Sequence, residues 1–119
     1  MDNGHNIIEN YIDGKITSNS KIYQDVFDPS KGEVISKVVL SNEKDFNDVI
    51  KSSINAQIGW SKTTPLKRSR VLSKYKNLIE MNLEEIAKIV SREHGKTLDD
   101  AKGSITRALE VVEFACGIP

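Results

Sequence analysis

Glu33-Val34-Ile35-Ser36-Lys37-Val38-Val39-Leu40-Ser41-Asn42-Glu43-Lys44-Asp45-Phe46-Asn47-Asp48-Val49-Ile50 is the stretch on which the fold turns. Up to Leu40 it is rich in Val and Ile, whose branched side chains suit a pleated strand. Beyond Ser41 the apolar residues Phe46, Val49, Ile50 and Ile54 recur at three- and four-residue spacing, the stripe of an amphipathic helix. Strand patterns lie before this point and helical ones after it. The expected class is therefore α/β, an opening β-hairpin and strand followed by about four helices.

Toward the N-terminus, Tyr11-Ile12-Asp13-Gly14-Lys15-Ile16 sets Asp-Gly between two β-prone runs, a two-residue hairpin signal. Tyr23 to Phe27 alternates apolar and polar residues. Asp28-Pro29-Ser30-Lys31-Gly32 supplies a turn, and Glu33 to Leu40 is the next strand.

Toward the C-terminus, Ser41 is the expected N-cap of the first helix, with Glu43 and Asp45 near its positive end and Trp60 packing at its far end. Thr64 caps a second helix that starts on Pro65, where a missing N–H costs nothing. Its stripe is Val71, Leu72, Tyr75, Leu78 and Ile79. Asn82 and Glu85 are placed to cap a third helix reciprocally. That helix buries Ile86, Ile89 and Val90 and stops at His94-Gly95, where glycine suits a left-handed C′ position. Thr97 caps a fourth, with Leu98, Ala101, Ile105, Ala108, Val112 and Ala115 along one side. Phe46, Ile50, Leu72, Ile86, Ile105 and Val112 are the expected core. The apolar stripes of the second and fourth helices are wide for a surface, so marginal stability or self-association of the isolated chain is expected.

The 119 residues suffice for one small domain with one core. With 38% hydrophobic and 29% charged residues the chain has a globular balance rather than a disordered one. Seventeen basic against seventeen acidic side chains leave no net field to attract nucleic acid or an anionic membrane. No apolar run approaches the ~20 residues needed to span a bilayer. The first residues have neither a secretory nor a mitochondrial leader pattern, so a bacterial cytoplasmic protein, or a mature organellar one, is expected. A single cysteine, Cys116, excludes an intrachain disulfide.

No complete catalytic site is visible. There is no G-x-x-x-x-G-K-[ST] or G-x-G-x-x-G loop. His5, His94 and Cys116 cannot make a structural zinc site. Cys116 and His94 are separated by about 22 residues, ~30 Å along a helix, too far for a thiol–imidazole pair. Glu93-His94-Gly95-Lys96 reads as a helix end with a basic residue near the negative end of the dipole. Arg107 shares a helical face with Asp100, Gly103, Val111 and Phe114. It is either a solvated arginine paired with Glu110 at i+3 or a guanidinium held over the notch at Gly103 for an anionic ligand.

Several stretches together resemble the start of an aldehyde dehydrogenase. These are Asn10 to Lys15, Phe27-Asp28-Pro29-Ser30-Lys31-Gly32-Glu33-Val34-Ile35, Trp60-Ser61 followed by Arg68 to Leu72, and Glu93-His94-Gly95-Lys96. Asp28 stands where the family usually has Asn. The ending, Val112-Glu113-Phe114-Ala115-Cys116-Gly117-Ile118-Pro119, is similar to that of the CoA-acylating methylmalonate-semialdehyde dehydrogenases.

The resemblance implies that residues 1–119 are an N-terminal segment, the start of the cofactor-binding domain with the catalytic domain absent. It implies NAD and CoA as cofactors, with their sites beyond this chain, and a semialdehyde as substrate. It places Arg107 where that subfamily carries an arginine for the substrate's carboxylate. It implies a homo-oligomer, dimer or tetramer, and gives Cys116 no part as nucleophile. The isolated segment is expected to be inactive. The alternatives are a non-catalytic module that binds full-length subunits, or a segment of a hydrolytic aldehyde dehydrogenase.

Overall fold

A computed structural model describes residues 6–119. His5 lies outside the described residues. The chain opens with β1 (Asn6–Ile8), β2 (Asn10–Ile12) and β3 (Lys15–Thr17). The β2–β3 hairpin is the expected one. Asp13 and Gly14 sit at φ 52° and 74°, the left-handed pair that a tight two-residue turn requires. Tyr11 therefore faces Ile16 across the ladder.

β4 (Tyr23–Asp28) and β5 (Glu33–Val39) pair antiparallel from Tyr23↔Val39 to Asp28↔Glu33, with a bulge between Val26 and Phe27. Between them, Asp28 Oδ1 accepts the Ser30 N–H at 2.9 Å, and the Gly32 N–H donates to the Asp28 carbonyl at 2.8 Å. Gly32 takes φ 71°. The surprise is β1, which runs parallel to β5 and completes a sheet ordered β1-β5-β4. Three residues carry too little pattern to announce a strand. Their partner lies thirty positions along the chain.

Helix α1 (Glu43–Trp60) begins one residue later than expected. Asn42, not Ser41, is the N-cap. Its Oδ1 accepts the Asp45 N–H at 3.1 Å, while an Asp45 carboxylate oxygen accepts the Asn42 N–H at 3.0 Å. The Ser41 hydroxyl is turned away to donate to Asn10 Oδ1 at 3.0 Å. Asp45 also accepts the backbone N–H groups of Asn19 and Ser20. One buried carboxylate thus closes the helix and pins the chain leading into β4.

Those donors, the Asn19 and Asn42 N–H groups first, hold the Asp45 carboxyl at about 2, below its ordinary 3.8, against the opposing effect of burial. A depressed carboxylate stabilises the fold above its unfolded value and loses that contribution as pH falls through the folded one. Asp45→Ala is therefore expected to lower the melting temperature at neutral pH. The gap to wild type should narrow as pH falls from about 4 to about 2. Melts followed by Trp60 fluorescence measure this; a gap constant with pH refutes it.

Helices α2 (Pro65–Met81), α3 (Leu83–His94) and α4 (Leu98–Cys116) follow. Thr64 stands at the N-cap of α2 with Pro65 at the first helical position, though its side chain makes no capping bond. The reciprocal cap expected of Asn82 and Glu85 does not form. The Asn82 side-chain amide donates to the Leu78 carbonyl at 2.7 Å, so it is spent on the end of α2. Gly95 ends α3 at φ 78° as expected, and Thr97 Oγ1 accepts the Asp100 N–H at 3.2 Å to start α4.

Length allowed a single core, but the chain divides into two compact units between Lys62 and Thr63. The first holds the strands and α1. In the second, α4 packs on both α2 and α3. Its core is Ala87, Ala101, Ile105 and Leu109, with Ile79, Leu83, Ile86 and Val90 against it. Ala87 and Ala101 are completely buried, and their small side chains let α3 and α4 approach closely.

Of the expected core, Ile105 is buried, and Leu72, Ile86 and Val112 are half-buried. Phe46 and Ile50 are exposed, and so is Ile89. Within the first unit α1 turns Asp45 inward, and its apolar stripe stays largely exposed. On α4, Leu109 is buried although it lay outside the predicted stripe, while Leu98 and Ala108 are exposed. Val71, Tyr75 and Leu78 on α2, and Val111 and Phe114 on α4, are exposed too. Through such faces the isolated chain is expected to self-associate, with a sedimentation coefficient that rises with concentration. A strictly monomeric species at every concentration refutes this.

Candidate functional site

The site is built on α4 and the turn before it. Ala101, Ile105 and Leu109 anchor one side of α4 in the second unit's core. With ~100° per residue, Gly103, Arg107, Val111 and Phe114 then fall on the opposite, outward side. Val111 and Phe114 are 68% and 76% exposed. Three bonds hold the helix in place. Lys102 Nζ reaches Glu84 at 2.7 Å, Lys76 Nζ reaches Glu113 at 3.3 Å, and the Ser69 hydroxyl donates to the Cys116 carbonyl at 2.7 Å. The Lys76 ammonium is held above its ordinary value, chiefly by the hydrogen bond to Glu113.

Arg107 does not pair with Glu110. Its Nη2 donates to Ser104 Oγ at 3.3 Å, one turn back along α4. The head lies over Gly103, where an added Cβ would stand 3.8 Å from Nη1, an ordinary van der Waals contact. Lys96 arrives at the same serine: its Nζ donates to Ser104 Oγ at 2.7 Å. The Lys96 carbonyl is itself fixed by the Ser91 hydroxyl at 2.7 Å, which ties the turn to the end of α3. Ser104 then donates to the Asp100 carbonyl at 3.1 Å.

Arg107 alone was singled out in the sequence. In the sequence Lys96 is a cation near a helix end, and no motif marks Ser104. The spacing of 100, 104 and 107 on one helix is the signal that could have found it.

Cys116 is a half-buried free thiol at the C-terminal end of α4. Among the described residues no group of three or more His, Cys, Asp or Glu could hold a metal ion. No helix of the described residues is long and apolar enough to cross a membrane. A cleft of about 410 Å³ in the first unit lies between the hairpin and α1, lined by Asp13, Lys15, Asp48 and Lys51 among others. It carries charges of both signs, with the hydroxyls of Thr17 and Ser52 beside them.

Among the described residues the left-handed glycines form no strand-to-helix dinucleotide cradle. The glycines in the left-handed region, Gly14, Gly32 and Gly95, serve a hairpin, a strand turn and a helix end. None opens a helix after a strand, as a pyrophosphate cradle requires.

A hairpin and a small mixed sheet leading through one helix to three packed helices is the N-terminal part of the aldehyde dehydrogenase fold. Residues 16–119 match the aldehyde dehydrogenase family, and the chain belongs to it. It is 41% identical over 112 residues to the malonate-semialdehyde dehydrogenase of Pseudomonas aeruginosa, covering 94% of this chain and 22% of that protein. A Sinorhizobium meliloti 1021 protein described as a methylmalonate-semialdehyde dehydrogenase, solved with NAD, superposes with a TM-score of 0.92 at 42% identity. That match covers 97% of this chain and 24% of that one. The methylmalonate-semialdehyde dehydrogenase of Oceanimonas doudoroffii superposes with a TM-score of 0.91 at 36% identity, over 96% and 23% of the two chains. The chain thus spans about a quarter of the length of the relatives it matches.

Proposed function

We propose that this chain is the N-terminal segment of an acylating methylmalonate-semialdehyde dehydrogenase, and that its own contribution is to bind the carboxylate of the substrate through Arg107. In such an enzyme, methylmalonate or malonate semialdehyde is oxidised with NAD to an enzyme thioester, the distal carboxylate leaves as CO2, and the remaining acyl group passes to CoA to give propionyl-CoA or acetyl-CoA. The observation that carries the proposal is the Arg107 guanidinium. It is held on the outward side of α4 by a neutral hydroxyl, with no carboxylate of the described residues at ion-pairing distance. Arginine's planar fork can meet a carboxylate through two parallel hydrogen bonds. The similarity to malonate- and methylmalonate-semialdehyde dehydrogenases supports the choice of substrate. On the family resemblance we take the complete enzyme to be cytoplasmic and a dimer or tetramer.

The 119-residue chain alone is expected to make no NADH from methylmalonate semialdehyde. The thioester route needs an activated thiol beside oxyanion donors and a bound nicotinamide. Cys116 lies at a helix end, and none of the left-handed glycines among the described residues opens a helix after a strand. NADH formation by the purified chain above a blank, abolished by Cys116→Ser, would overturn the assignment of the chemistry to the rest of the enzyme.

A further inference from the structure

Ser104 Oγ is a hub between two cations. It accepts from Lys96 Nζ at 2.7 Å and from Arg107 Nη2 at 3.3 Å, and donates to the Asp100 carbonyl at 3.1 Å. A hydroxyl has one proton and two lone pairs, so its hydrogen-bonding capacity is filled. The two cationic nitrogens consequently lie within about 6 Å of each other, near enough to repel. Three other lysines of the second unit have carboxylates: Lys76 has Glu80 and Glu113, Lys88 has Glu85, and Lys102 has Glu84. Lys96 and Arg107 have none among the described residues, as Lys67 and Lys74 have none, and they differ from those lysines in sharing one neutral acceptor. Asp100 lies on the same face but gives the hub its backbone carbonyl.

We propose that Lys96 and Arg107 form a two-cation cradle for a carboxylate, and that Ser104 is the positioning residue that holds both heads toward one point. An entering carboxylate accepts from the guanidinium through one edge and from the ammonium through a remaining lone pair. It removes the repulsion that the empty pair carries. Lys96 suits the role because it is fixed at both ends: its carbonyl is held by Ser91 and its head by Ser104. An ammonium on a four-carbon stem loses much rotamer freedom on binding, and here most of that loss is already incurred. The Glu93-His94-Gly95-Lys96 turn thereby serves as more than a helix stop, since the left-handed Gly95 directs the chain so that Lys96 reaches back to α4.

The inference rests on the proposed function, because it assigns the cradle to the carboxylate of that substrate. The test uses the complete enzyme and the ratio of kcat/KM for methylmalonate semialdehyde to that for propionaldehyde, which lacks the carboxylate. Lys96→Met is expected to lower this ratio about fivefold, mainly through KM for the semialdehyde, as loss of a charged hydrogen-bond donor would. Ser104→Ala is expected to lower it about threefold, and Ser104→Thr, which keeps the hydroxyl, to restore most of it. A ratio unchanged in both Lys96→Met and Ser104→Ala, with Arg107→Leu still lowering it, overturns the cradle and leaves the proposed function standing. A ratio unchanged in Arg107→Leu overturns both. A rise in KM for NAD or CoA in Lys96→Met, with the semialdehyde KM unchanged, assigns the cations to a phosphate and also overturns the carboxylate cradle. Should Ser104→Ala fail to fold, Lys96→Met decides alone.

Discussion

Arg107→Leu in the complete enzyme is expected to lower kcat/KM for methylmalonate semialdehyde at least about tenfold, a change that corresponds to ~1.4 kcal/mol. Charge-assisted hydrogen bonds contribute ~1.5–3 kcal/mol each, and the guanidinium can make two to one carboxylate, so loss of the head suffices. Leucine keeps the helix and the apolar stem, since Arg107 is exposed and makes no ion pair among the described residues. Propionaldehyde has the same reacting group without the carboxylate, and its kcat/KM should fall much less. Steady-state kinetics on the two substrates separate recognition from a general loss of folding, which would depress both. Equal losses on both substrates, or none on either, would make Arg107 a solvated helix arginine.

The second large effect is on stability. Ile105→Ala in the chain as it stands is expected to cost about 3 kcal/mol, because truncating a buried Ile removes transfer energy and leaves a cavity. Ile105 is 6% exposed and sits in a cluster of four buried residues. A unit with so few buried side chains lies at the low end of the usual ~5–15 kcal/mol, so the variant is expected to lose cooperative unfolding of α2 to α4. Ile54→Ala on α1 supplies the contrast. Ile54 is 62% exposed, and its replacement should change stability by no more than about 0.5 kcal/mol. Urea titrations followed by circular dichroism compare the two. Equal costs would refute the division into buried and uncovered stripes.

These two substitutions mark different depths of legibility. Helix positions were readable, because Pro65, Gly95 and Thr97 act through their own backbones within a residue or two. The residue that buries was less so. Periodicity names the angular side of a helix that is apolar. It does not say which stretch of that side another element covers. Hence Ile105 was foreseen, Leu109 was not, and Phe46 and Ile50 were expected inside yet lie exposed. Arg107 was readable as a candidate through its place beside Gly103 and through the family resemblance. Its partners were not, since the lysine that joins it comes from the far side of a turn.

By itself the sequence determined the hairpin at Asp13-Gly14, the change from strands to helices after Leu40, the four helices and the family. The hairpin, the change of period and the helices depend on local backbone preference or on short-range periodicity, which neighbouring residues settle among themselves; the family follows from the motifs that resemble it. Tertiary structure alone decided that Asp45 closes α1 and pins Asn19 and Ser20 together. It also decided that Asn82 is spent on α2 and that Ser104 gathers Lys96 and Arg107. In each case a polar side chain had several chemically equivalent partners within reach along the chain. Which one it took depended on the groups that the fold brought near.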